Sequence, residues 1–191
     1  MNRTTRYCTF EKNNFMKTIK KGLVRICKSK DKWGWMGNIG KCALEYEGKK
    51  WKSSEGLFIS MRFDDEKIIE ELRELDNGGM MVKMVSKKYK DQMIIVPGEK
   101  EDIENMRKVV RLKINSYPWM KESLKKCKGK FIYEDVVKRK NNKRSLIWGG
   151  YFEGGVEVIN GEECGIGEFI GENILGNIWM DLRDEILRNR E

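Results

Sequence analysis

Three stretches of the chain repeat apolar residues at intervals of three and four, and that period constrains the fold more than any other feature. Ile68, Ile69, Leu72 and Leu75 form one stripe, and Ile103, Met106, Val109, Val110 and Leu112 a second. Ile174, Leu175, Ile178, Trp179, Leu182 and Ile186 form a third. Such a repeat keeps one face of an α-helix apolar, so each stretch reads as a helix with one side to bury. Asp64-Asp65 opens the first and Asp76-Asn77-Gly78-Gly79 ends it. A short helix carrying Met81, Met84 and Val85 begins near Met80, the second stripe spans residues 101–115, and a partner helix begins near Pro118.

Strand signals are fewer. Residues 43–46 read as one arm of a hairpin that turns at Glu47-Gly48-Lys49 and returns through Trp51. Ser53 or Ser54 can then cap a helix by accepting backbone N–H bonds. Phe131 and Ile132 lead into the basic turn VVKRKNNKR, LIWGGYF reads as an aromatic strand or buried loop, and a glycine-rich region runs to Asn173. With 191 residues there is enough chain for one substantial core and too little for two ordinary domains. The expected class is α+β: a compact, mainly helical single domain with a few short strands.

The net charge is +9, and residues 1–50 hold thirteen Lys/Arg against four Asp/Glu, which accounts for all of it. Residues 1–32 are therefore expected to form a basic N-terminal extension, with the main domain over residues 33–191. A basic segment attracts polyanions or phosphorylated ligands, although a solvated lysine-rich face carries the same charge. The five cysteines are odd in number, none has CxxC spacing, and histidine is absent. Reduced thiols in a cytoplasmic protein are expected, with no metal and no cofactor. No apolar run approaches the roughly 18 residues of a membrane span and no leader is visible, so no membrane partner is expected.

Without histidine, Ser-His-Asp and Cys-His mechanisms are excluded, and acid–base work falls to Asp, Glu, Lys, Tyr or Cys. Glu55, in WKSSEGLFISMRF, stands at the mouth of a helix on which Phe58 and Arg62 share its face. That face would offer a carboxylate and a guanidinium to a ligand, while a carboxylate at a helix start is also favoured by the dipole, by about 0.3–1 kcal/mol. Lys113 lies inside the apolar run VRLKIN, where it would either snorkel or, partly desolvated, act as a nucleophile or base. Trp148 precedes Gly149 and Gly150, which would let a flat ligand approach the backbone and stack, although core packing is the commoner fate of a tryptophan. GIGEFIGENILG lacks the GxGxxG spacing of a dinucleotide fold, and no Gly-Lys-Ser/Thr loop is present.

Taken in order, GNIGKCALEYEGKKWKSSEGLFISMRF, MMVKMVSKK, IENMRKVVRLKI, FIYEDVVKR, LIWGG and GENILGNIWMDLRDEI resemble the NADAR superfamily, the YbiA-like N-glycosidases. The likeness covers residues 33–187. It implies a compact α+β fold and hydrolysis of the C1′–N bond of a small ribosylated, nucleotide-like substrate. Phosphoribosylamino-pyrimidine intermediates of riboflavin synthesis are the leading substrate class. Alternatives are ADP-ribose on guanine in nucleic acid, which Lys138, Arg139, Lys140, Lys143 and Arg144 would suit, and a non-catalytic module for NAD or ADP-ribose. The resemblance assigns Glu55, Lys113 and Asp135 to catalysis and Asn38, Arg62, Lys83, Trp148, Gly149 and Asn173 to substrate binding. The chain departs from better known members at Gly56, where histidine is usual, at Arg62, where lysine is usual, and at Ser145, where aspartate is common.

Overall fold

The computed structural model describes residues 7–11 and 16–189. Among these the chain runs β1 (Tyr7–Glu11), β2 (Met16–Lys20), β3 (Leu23–Ile26), β4 (Leu44–Tyr46), β5 (Lys49–Trp51), α1 (Ser54–Ser60), α2 (Glu66–Leu75) and α3 (Met80–Val85). It continues through α4 (Lys100–Ser116), α5 (Pro118–Lys125), β6 (Phe131–Glu134), α6 (Lys143–Trp148), β7 (Tyr151–Phe152), β8 (Val156–Ile159), β9 (Glu162–Ile166), β10 (Phe169–Ile170) and α7 (Ile174–Arg188). The fold is α+β. It falls into two compact units, one made of the chain up to Cys27 with Cys127–Asp184, the other of Lys28–Lys126 with the residues from Glu185.

The second unit is mainly helical. In α2 the predicted stripe buries Ile68 and Leu72, and Asp65 caps the helix by accepting from the Lys67 N–H at 2.8 Å. In α4 the buried face is Met106, Val109, Val110 and Ile114, with Lys113 among them. Pro118 starts α5, where a missing N–H removes no helical hydrogen bond. The β4–β5 hairpin forms as expected, and Glu47 and Gly48 take positive φ (50° and 72°), the twist that favours tight hairpins. Every residue of α1 is buried, so this short helix is enclosed on all sides and its two ends must find partners inside the protein. In α3, Val82 and Val85 are buried while Met80, Met81 and Met84 face outward.

The first unit holds the sheets. A four-stranded antiparallel sheet has the order β1-β2-β9-β8. Parallel strands β3 and β6 pair from Leu23↔Phe131 to Ile26↔Glu134, and the chain between them is the long crossover that parallel pairing demands. Phe131, Tyr133, Phe152 and Phe169 form an aromatic cluster with ring centroids 5.1–6.2 Å apart. Leu175, Ile178, Trp179 and Leu182 of α7 are buried, as the third stripe requires.

Two parts of the chain carry more structure than their composition suggests. Strands β1–β3 lie within the segment expected as a basic extension, and β2 and β3 are hydrogen-bonded to β9 and β6. Residues 1–6 and 12–15 of that segment lie outside the described residues. The glycine-rich region before Asn173 folds as β8, β9 and β10. Gly165 in β9 faces the Phe152 ring, which would lie 2.5 Å from any Cβ there. No described helix is long and apolar enough to cross a membrane.

Candidate functional site

The second unit gathers Asn38, Glu55, Lys83 and Lys113, and the organising group is a residue that the motifs do not contain. Asp76, at the end of α2, is fully buried. Its Oδ2 accepts from the backbone N–H of Lys52 (3.2 Å) and Ser53 (2.7 Å). Its Oδ1 accepts from the Ser53 hydroxyl (2.7 Å) and from the N–H groups of Gly78 (3.2 Å) and Gly79 (2.9 Å). A buried carboxylate is stable only when its lone pairs are engaged, and here five donors engage them.

That network sets the start of α1. The Ser53 side chain donates to Asp76 and accepts from the Gly56 N–H at 2.9 Å, so one hydroxyl both caps the helix and ties it to the α2–α3 turn. Gly56 is required by the same packing: a Cβ there would lie 2.3 Å from Asp76 Oδ2. The departure from histidine at this position therefore goes together with the buried aspartate. Gly79 caps α3 in the left-handed region (φ 86°), and a Cβ on it would lie 2.5 Å from the Cβ of Glu55. Only glycine meets both demands.

Glu55 is buried in the first turn of α1, and its N–H donates to the Asn38 carbonyl at 3.2 Å. Its Oε1 lies 3.2 Å from Nζ of Lys83, a half-exposed residue one turn into α3. Lys113 is 2% exposed. Its Nζ donates to the Gly37 carbonyl at 2.7 Å and to the Ser54 hydroxyl at 3.3 Å. Burial pulls its pKa down to about 8, against the opposing pull of Cys42 and Glu55. An amine so placed is neutral in an appreciable fraction of molecules near neutral pH. Cys42 is itself buried, and burial raises its thiol pKa. Asn38 Nδ2 donates to the Met106 sulfur at 3.0 Å, while its Oδ1 is buried with no partner among the described residues. Groups left in that condition are uncommon in folded proteins.

Arg62 departs from the expected arrangement. The helix ends at Ser60, so Arg62 does not share a helical face with Glu55. Its Nε and Nη2 are bound to the fully buried Asp102 at 2.7 and 3.0 Å, and its guanidinium lies 4.5 Å from the Phe58 ring centre. A bidentate pair of this kind is a structural clamp.

Asp135, Trp148, Gly149 and Asn173 lie in the first unit. Asp135 is 3.5 Å from Arg25 and accepts from the Val137 N–H at 3.0 Å. Trp148 ends α6 half-buried. Gly149 and Gly150 were expected to leave room for a ligand, but protein fills it: a Cβ would meet the Glu134 carbonyl at 2.4 Å and the Phe169 ring at 2.3 Å respectively. Asn173 has φ 55° and is buried. Its Nδ2 donates to the Ile132 carbonyl at 2.9 Å and its Oδ1 accepts from the Glu134 N–H at 3.3 Å, so its amide holds β6.

Sequence reasoning read Asp76 only as a helix stop and Ser54 only as a candidate cap, whereas Ser53 is the cap and the Ser54 hydroxyl accepts from Lys113. Asp76 had a signal: with Ile68 and Leu72 it continues the buried i, i+4 row of α2, so the acid read as a helix stop stands at an inward position.

No family model matches the chain. Curated proteins named N-glycosidase YbiA are similar to it: those of Shigella boydii serotype 4, Shigella sonnei and Escherichia coli K12 are each 24% identical over 164 residues. The alignments cover 86% of this chain and 88% of each relative. The NMR structure of Escherichia coli YbiA matches with a TM-score of 0.64 at 22% identity, covering 88% of this chain and 86% of that one.

Removing the organising carboxylate tests this account of the site. Asp76→Ala strands the Ser53 hydroxyl and four backbone donors, and should cost about 3 kcal/mol or more. Thermal unfolding followed by circular dichroism should then show a midpoint lowered by roughly 6–12 °C. An unchanged midpoint would mean the carboxylate does not hold α1.

Proposed function

Since the chain is YbiA-like in sequence and in fold, we propose that it is an N-glycosidase whose chemistry is carried by Glu55 and Lys113. The observation that carries this reading is a buried lysine with its pKa drawn down to about 8 in the same cluster as a buried glutamate. Breaking a C1′–N bond builds positive charge on the sugar, and the Glu55 carboxylate stabilises it. An ammonium in the same place would oppose that charge, so Lys113 acts as the neutral amine. Its Nζ attacks C1′ as the bond to the heterocycle breaks, and the proton it loses passes to the departing nitrogen. The lysine-bound sugar opens to an imine, which water hydrolyses to return the amine and release the sugar. Ser54 and the Gly37 carbonyl hold the Nζ hydrogens and leave its lone pair for C1′.

The substrate class follows from the resemblance: phosphoribosylamino-pyrimidines of riboflavin synthesis. A second reading keeps the chemistry and replaces the substrate with ADP-ribosylated guanine in nucleic acid. It is favoured by Lys138, Arg139, Lys140, Lys143 and Arg144, which are all exposed. Cleavage of modified DNA that falls steeply with salt would select it. Cleavage of free nucleotides alone would select the first.

Chromatography of a panel holding both substrate classes tests the proposal. Wild type should release the heterocycle or ADP-ribose from one member, and Glu55→Gln should lower kcat by roughly 100-fold or more while remaining folded. Full turnover by Glu55→Gln would remove Glu55 from the mechanism. The pH profile carries a sign. A neutral-amine nucleophile is formed as pH rises, so kcat/KM should climb and level off with a midpoint near 8. A rate that falls through that range would mean the ammonium is the working form.

A further inference from the structure

Two amines act on the Glu55 carboxylate, and the proposed chemistry uses one of them. Lys113 is enclosed in the interior. Lys83 reaches Glu55 from α3 with its side chain 46% exposed, and its Nζ lies 3.2 Å from Glu55 Oε1. Arg62, the other cation expected on this face, is held by Asp102. Of the three cations, Lys83 alone is both paired with Glu55 and open to solvent.

That pair conflicts with the reaction. A carboxylate stabilises positive charge at C1′ to the extent that its own charge is unanswered, and an ammonium 3.2 Å away answers it before the substrate does. For Glu55 to act, Lys83 must be drawn off by a second anion. The segment that carries Lys83 supplies none: residues 80–90 hold Lys83, Lys87, Lys88 and Lys90 and no Asp or Glu. All four lysines are exposed, and such a run attracts an anion from solution. The anion then arrives with the substrate. In both substrate classes considered above, the ribose at the breaking bond carries a phosphate on C5′, one sugar ring away from C1′.

We infer that Lys83 is the specificity-determining residue for that 5′-phosphate: in the free protein its ammonium covers Glu55, and on binding the phosphate takes it over and leaves the carboxylate bare for C1′. The exchange needs only a side-chain rotation, since Val82 and Val85 anchor α3 and Lys83 lies on its outward face. A ribosyl substrate without the phosphate leaves Lys83 on Glu55 and is turned over slowly. The inference rests on Glu55 being the catalytic carboxylate, yet the exchange itself can be read without turnover.

Isothermal titration of the intact protein with ribose 5-phosphate and with ribose provides that reading. Ribose 5-phosphate should bind at least about tenfold more tightly than ribose. Lys83→Met should abolish the preference and Lys83→Arg should retain it. Because Glu55 and the phosphate compete for one ammonium, Glu55→Gln should tighten ribose 5-phosphate by roughly threefold to tenfold. A lysine that only supported the fold would show no such gain. In kinetics, Lys83→Met should cleave the 5′-dephosphorylated form of the panel substrate faster than wild type does, while losing rate on the phosphorylated form. Equal binding of the two sugars, a preference that survives Lys83→Met, weaker binding by Glu55→Gln, or slower cleavage of the dephosphorylated form by Lys83→Met would each overturn the inference. If the titrations come out as expected and no panel member is cleaved, the N-glycosidase reading fails and the phosphate site at Lys83 stands.

Discussion

The Asp76 carboxylate is the contact on which the arrangement of the second unit depends. It is fully buried, and donors from both Ser53 and the Gly78-Gly79 turn converge on it to satisfy its oxygens. The same atoms fix where α1 begins and where α3 begins. Glu55 stands in the first turn of α1 and Lys83 in α3, so their 3.2 Å contact is set by a residue that touches neither side chain. The two glycines beside them follow from it, since Gly56 makes room for the carboxylate and Gly79 for the Cβ of Glu55.

Lys113 adds the second constraint. A buried amine favours its neutral form, and in the pH interval from about 8 to the ordinary lysine value the unfolded chain binds more protons than the folded one. Stability therefore rises with pH across that interval and is lowest where the buried group is fully charged. The fold bears this cost at neutral pH for a residue whose apolar replacement would pack without it.

The helices were legible because burial on one face imposes a period, and α2, α4 and α7 carry it plainly. The β4–β5 hairpin was legible because its turn needs residues that tolerate positive φ. Strands β8–β10 were not, since their alternation is interrupted by Glu162, Glu163 and Gly165, the last of which makes room for the Phe152 ring. Of the residues singled out from the sequence, the second unit brings Asn38, Glu55, Lys83 and Lys113 together. Arg62 was misjudged because helix α1 stops at Ser60, and its partner Asp102 is forty residues away. Asn173 and Gly149 belong to quoted motifs, and in the fold the Asn173 amide holds β6 while Gly149 packs closely against the Glu134 carbonyl. Motif residues include those that hold the backbone, and only their hydrogen-bond partners tell the two kinds apart.

The most direct test of the catalytic account is to trap the enzyme during turnover with sodium borohydride and map the product by mass spectrometry. An imine at Lys113 would be reduced to a stable secondary amine, so the peptide containing Lys113 should gain the mass of the reduced sugar moiety, in wild type and not in Lys113→Arg. Turnover that continues unimpaired, with no adduct on Lys113, would contradict the account and leave Glu55 to act through water.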